Sequence, residues 1–147
     1  MSSEQERSAA SANVELARAL FDELAESGLQ AVGGRFDPEV EVFSTPEAAN
    51  PGSFHGIAGL MRWAERWFDA WEEFEIRPEL FEPIGSHHVV ISCKQRGRGK
   101  GSGVPVEMDA TYMVEIVGGH VTRFHLYMDR DEAIAVARQG EGLSPSS

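Results

Sequence analysis

The sequence predicts an α+β domain, a curved and mostly antiparallel sheet packed on helices. Three observations carry that prediction. Apolar residues recur at helical spacing in the first half of the chain, the period falls to two from Glu73 onward, and no helical stretch separates the late strands. Strands that follow one another without a crossover helix pair as antiparallel hairpins, which argues against a doubly wound parallel sheet.

The first helix is expected from Asn13, a capping residue, through a stripe of Val14, Ala17, Leu20, Phe21 and Leu24 that stops near Gly28. "LQAVGGRFDP" reads as a short helical turn broken by Gly33 and Gly34. Pro38 then opens a strand in which Val40, Val42 and Ser44 alternate with Glu39, Glu41 and Phe43. "TPEAANPGSFHG", with its prolines and glycines, reads as a loop. Ile57, Leu60, Met61, Ala64, Trp67, Phe68 and Trp71 then recur at helical spacing, with Trp63 on the flank of that stripe.

In "EFEIRPEL" Phe74, Ile76 and Leu80 are expected inward, and Pro78 points to an edge strand, because proline has no N–H to give to a central ladder. "HHVVISCKQR" and "VPVEMDATYMVEI" are two more strands joined by the flexible "GRGKGSG", which misses the spacing of a phosphate-binding Walker loop. "VTRFHLYMDRD" is the last strand. Asp129 or Asp131 is placed to cap a terminal helix, "EAIAVARQG", closed by Gly140.

Composition bounds the rest. The chain has 147 residues, 41% of them hydrophobic, which suits a single core. With 13 Lys and Arg against 24 Asp and Glu the formal charge is -11, which argues against nucleic acid or an anionic membrane as a partner. Cys93 is the one cysteine, so no intramolecular disulfide forms; with no signal-like start and no membrane-length apolar run, a cytoplasmic protein is expected. The polar stretches 1–12 and 141–147 read as disordered tails around a domain spanning 13–140.

Register follows from charge. Pairing Arg96 with Glu107 and Lys94 with Asp109 sets Cys93 opposite Ala110, Ile91 opposite Tyr112 and Val89 opposite Val114, which satisfies both faces at once. For the next hairpin, a three-residue loop with Gly119 in the left-handed conformation pairs Ile116 with His120 and Tyr112 with Phe124. A two-residue "GG" loop is rejected because it would set Phe124 opposite Met113 and mix the faces. On this reading Met108, Ala110, Tyr112, Phe124, Leu126 and Met128 face the helices. Arg123, His125, Tyr127 and Asp129 lie on the other side, where they suit a partner subunit.

The helix order, the meander and the segments "FDPEVEVFSTP", "FHGIAGLMRW", "GRGKGSGVPVE" and "GGHVTRFHLYMDRDEA" resemble the SnoaL-like, polyketide cyclase-like branch of the nuclear transport factor 2-like superfamily, over roughly residues 13–140. The resemblance implies a cone-shaped, cystatin-like fold around a cavity. That fold hosts cyclases, ketosteroid isomerases, epoxide hydrolases and non-catalytic binders. Position by position, the carboxylate that epoxide hydrolases and cyclases keep two residues after the strand's aromatic is replaced by Leu126. The ketosteroid isomerase base before a proline is replaced by Thr45. The tyrosine on the first helix falls near Leu20, and a second hydrogen-bond donor falls near Tyr112.

The expected site is therefore a largely apolar cavity lined by Ser44, Trp63, Trp67, Met108, Tyr112, Phe124, Leu126 and Met128, binding a small apolar molecule without metal or cofactor. Its partners would be that molecule and a second copy docked on the outer sheet face. Two alternatives stand beside it. One is a cyclase, isomerase or epoxide hydrolase acting on a polyketide, steroid or terpenoid-like substrate, with Lys94, Arg96 or Asp109 turned into the cone by a bulge. The other is an accessory dimerisation domain using the outer sheet face.

Overall fold

The computed structural model describes residues 3–46 and 51–143, apart from the side chains at 3, 29–31, 67 and 68. Helix α1 (Ser3–Ser27) leads through a 3-10 segment (Leu29–Arg35) to strand β1 (Phe36–Ser44), and β2 (Gly52–His55) folds back beside it. Helix α2 (Gly56–Ala70) is followed by β3 (Trp71–Ile84), β4 (His88–Gly99), β5 (Pro105–Val117), β6 (His120–Tyr127) and helix α3 (Arg130–Gly140). The six strands form one sheet in the order β2-β1-β6-β5-β4-β3, antiparallel except where β1 runs parallel to β6. The α+β class and the meander agree with expectation.

Several boundaries move. Helix α1 starts at Ser3, not Asn13, so much of the stretch read as a tail is helical. Ala, Glu, Gln and Arg favour helix there, and Glu4 and Glu6 suit the positive end of the helix dipole. Asn13 lies within the helix and donates from Nδ2 to the Ser86 carbonyl at 2.8 Å, tying α1 to the β3–β4 turn. Part of the segment read as a loop pairs with β1 as β2, and Trp71 leaves the helical stripe to begin β3. Strand β3 is an edge strand, as Pro78 required. A bulge between Pro78 and Leu80 turns Leu80 outward, 48% exposed, and sets Phe81 opposite Ile91 on the inner face in its place.

The β4–β5 hairpin has the expected register, with Lys94 opposite Asp109, Arg96 opposite Glu107 and Cys93 opposite Ala110, and no bulge interrupts it. The β5–β6 hairpin does not. Val117 pairs with His120, so the turn is the two-residue Gly118–Gly119 loop, both residues having positive φ (60° and 81°). The side chains nevertheless fall on the expected faces, because a bulge follows: Ile116 pairs with Val121 and Glu115 with Arg123, leaving Thr122 as the extra residue. The Thr122 hydroxyl donates toward the Glu115 carbonyl at 3.2 Å and lies 2.6 Å from its carboxylate, which holds the bulge in place. Tyr112 consequently faces Leu126 rather than Phe124.

The inner face carries the main core, built from α1, α2 and the inward residues of β1, β4, β5 and β6. The outer face is not open over its whole width. Helix α3, capped by Asp129 through a bond from the Asp131 amide at 2.9 Å, covers Ile84, Val90, Met113 and Tyr127 with Ala133 and Ala137. His125 and Tyr127, expected on a solvent-side row, are buried. No helix among the described residues is long and apolar enough to cross a membrane.

The end of α3 is fastened by Glu141, a residue the composition placed in a disordered tail; residues 144–147 lie outside the described residues. Its carboxylate accepts from the amides of Ser86 (3.0 Å) and His87 (2.9 Å) and from the Nδ1 of buried His88 at 2.5 Å. Burial pushes the Glu141 carboxyl up, but the combined bonds from His88 and the two amides outweigh it and hold the group below the ordinary glutamate value of 4.5. A carboxylate with a depressed folded pKa adds stability that is fully present above its unfolded value and is lost as pH falls through the folded one. Glu141→Gln is expected to cost about 2 kcal/mol at neutral pH. It should also remove part of the stability loss below pH 4.5, both read by urea unfolding at a series of pH values.

Candidate ligand-binding site on the inner face

Alternation along β4, β5 and β6 brings Cys93, Gln95, Ala110, Tyr112, Phe124 and Leu126 to the inner face, opposite Phe21 of α1 and Trp63 of α2. Phe124 is the hub of an aromatic cluster. Its ring centroid lies 5.3 Å from Tyr112, 5.6 Å from Trp63 and 5.7 Å from Phe36, the last two nearly edge to face. Phe21 meets Tyr112 at 5.4 Å from the other side. Such pairs add about 0.5–1.5 kcal/mol each beyond the area they bury.

Two polar pairs are set into it. The Trp63 Nε1–H donates to the Ser44 hydroxyl at 2.5 Å, which pins α2 to the end of β1. The Gln95 Nε2 donates to the Tyr112 hydroxyl at 2.7 Å, between β4 and β5. Of the expected lining residues, Ser44, Trp63, Tyr112, Phe124 and Leu126 are all buried here, while Met108 and Met128 are half-buried at the margin of the core. The side chain of Trp67 lies outside the described residues. Ser44 has a fixed partner in Trp63, which gives it a structural role whatever else it touches.

Gln95 escaped the sequence reading although the signal was present. It shares the parity of Cys93 and Ile91, and continuing the charge-derived register by one more inward pair sets it opposite Met108, where the structure has it. Its side chain is fully buried, and its Oε1 has no hydrogen-bond partner.

The ionisable groups stand elsewhere. Lys94 and Asp109 form a pair 2.5 Å apart on the outer face and Arg96 approaches Glu75 at 3.6 Å, so none of the three turns into the cone. Depressions of about 530 and 470 Å³ lie along β3–β5, the first lined by groups such as Arg96, Arg98 and Glu107, the second by Lys94 and Asp109 together with Cys93, Ala110 and Met128 at the margin of the inner face. Nearer β1, His125 lies 3.3 Å from Glu41 and 3.1 Å from the Tyr127 hydroxyl. The carboxylate accepts from Nε2–H, which leaves Nδ1 to accept from Tyr127. Burial lowers the His125 pKa against the opposing pull of Glu41, and raises that of Tyr127 to about 12.

Inside, burial raises the Tyr112 phenol further, an effect the Gln95 bond only partly offsets, and it pushes the Cys93 thiol up to about 12. At the positions where the resemblance implies a base the chain has Leu126 and Thr45, and the buried inner-face residues among those described include no Asp, Glu, Lys, Arg or His. The inner face can orient a ligand by neutral hydrogen bonds. It has no group among the described residues poised to take a proton near neutrality. Cys93 should stay unmodified by iodoacetamide at pH 8 in the native protein and react fully in urea, as followed by intact mass.

No protein-family model matches the chain, and no curated protein matches it. Solved structures do. The chain is similar to a nuclear transport factor 2-like protein of unknown function from Burkholderia pseudomallei, at 17% identity and a TM-score of 0.71 over 84% of this chain and 95% of that one. It is similar to a putative SnoaL-like polyketide cyclase from a Jannaschia species, at 20% identity and a TM-score of 0.70 over 89% and 92%. It is also similar to TerC co-crystallised with polyporic acid, at 16% identity and a TM-score of 0.70 over 80% and 92%. With the helices and sheet order described above, these matches show that the chain has the nuclear transport factor 2-like fold.

Proposed function

We propose that this protein binds a small, largely apolar molecule against the inner face of its sheet and orients it by neutral hydrogen bonds, without moving a proton itself. The observation that carries this reading is the make-up of that face: an aromatic wall around Phe124, two buried polar pairs, and ionisable side chains turned to the other side. An apolar surface with a few placed polar groups is the usual chemistry of a small-molecule site. Neighbours of the same fold named as SnoaL-like polyketide cyclases, and one co-crystallised with polyporic acid, support an organic ligand of this general kind.

Cyclase, isomerase or hydrolase chemistry asks for a base or acid beside the ligand. The groups advanced for it, Lys94, Arg96 and Asp109, pair across the outer face instead. Tyr112 alone can polarise a carbonyl, which is one half of an enolisation step.

Thermal unfolding with a panel of terpenoids, steroids and polyketide-like aromatics tests the reading. A ligand at a hundredfold excess over its Kd should stabilise the fold by about 2.7 kcal/mol, a rise of several degrees in Tm. A flat response across the panel would reject it.

A further inference from the structure

We propose that the Gln95–Tyr112 pair is the specificity determinant of this inner site and selects ligands bearing a neutral hydroxyl group. The inference rests on the binding reading above and narrows it to a chemical class. Gln95 is fully buried, and its Oε1 has no hydrogen-bond partner, which is costly for a polar atom removed from water. With Nε2 donating to the Tyr112 hydroxyl, Gln95 Oε1 is left as an acceptor, and the Tyr112 O–H has no acceptor among the described residues. The pair therefore offers one acceptor and one donor side by side.

That result does not depend on how the amide is turned. In the opposite orientation Tyr112 donates to Oε1, the amide N–H is left to donate, and a lone pair of the phenol oxygen is left to accept. Either way the outward offer is one donor and one acceptor. A hydroxyl satisfies both. A ketone or ether can satisfy only the donor, and a carboxylate, which only accepts, meets a single donor beside an acceptor oxygen that repels it, with no cation supplied. The phenol stays protonated because burial raises its pKa. Ile76 and Met108, the cross-strand neighbours of Gln95, are only half-buried, and a methionine side chain adapts readily to a guest.

The test uses the full chain and four probes of one shape: 2-naphthol, 2-methoxynaphthalene, naphthalene and 2-naphthoate, titrated calorimetrically at neutral pH. Wild type should bind 2-naphthol about tenfold more tightly than its methyl ether, the worth of one buried hydrogen bond. In Gln95→Leu, and in Gln95→Met as a second variant of similar volume, that ratio should fall close to one while naphthalene still binds. An unchanged ratio in a variant that unfolds cooperatively overturns the proposal, as does a wild type with no preference for the hydroxyl. If Gln95→Leu only alters stability, with the ratio intact, the amide is a structural group and the proposal fails. These outcomes leave the binding reading standing, whereas failure of all four probes to bind wild type counts against both.

Discussion

The extra residue at Thr122 is the constraint on which the faces of this sheet depend. Side chains on a strand alternate, so the two-residue glycine turn that joins β5 to β6 would, without correction, send Phe124 and Leu126 outward and His125 and Tyr127 into the core. The bulge cancels that slip at the first opportunity. Thr122 suits the place because its hydroxyl can bond back to Glu115, which satisfies a polar group at the point where the ladder is interrupted. Everything inward of it follows: Val114 meets Phe124, Tyr112 meets Leu126, and the aromatic cluster closes on α1 and α2.

The same parity decides what helix α3 can do. With Met113, His125 and Tyr127 outward, the sheet presents a second apolar and aromatic patch that water would otherwise cover, and α3 folds back on it. A helix of eleven residues is marginal by itself. It is held at the start by the Asp129 cap, in the middle by Ala133 and Ala137 against the sheet, and at the end by Glu141 bonded to the β3–β4 turn. Gly140 sits where a Cβ would fall 2.7 Å from the His88 ring, so the small residue that ends the helix also admits the histidine to which Glu141 bonds. That arrangement covers part of the outer face, leaving the charged strip over β3–β5 as its open portion.

Much of this was legible in the sequence, and the misses have physical causes. Element types and the inward faces of β4 and β5 could be read because charge pairing and hydrophobic alternation agree on a single register. The β5–β6 turn was misread because a three-residue loop and a two-residue loop followed by a bulge place the later side chains on the same faces. Periodicity cannot tell them apart; the left-handed conformation of both glycines is what differs. Leu80 was assigned inward on alternation alone, and a bulge beside Pro78 reversed it. The start of α1 and the anchoring of Glu141 depend on contacts far along the chain, Asn13 with Ser86 and Glu141 with His88, which no local pattern encodes. Among the site residues, Tyr112, Phe124 and Leu126 are legible through their apolar parity, whereas Gln95, a polar residue between Lys94 and Arg96, carries no hydrophobic signal of its own and shows its face only through the strand register.

Gln95 also shows why the inner face handles a ligand differently from the outer one. A charge moved into an apolar interior costs several kcal/mol unless it is paired, so a sheet that buries one face and leaves the other partly wet sorts its groups by whether they can ionise. Here the carboxylates, guanidinium groups and histidines went outward, where they pair across strands, and the inner face kept an amide, a phenol, a hydroxyl and an indole. Neutral groups lose little when buried if each finds a partner, and the phenol, the hydroxyl and the indole each have one. The exception is the amide. An unsatisfied acceptor beside a phenol, on a wall of packed rings, makes the inner face more favourable to a guest that carries its own hydroxyl than to one that does not.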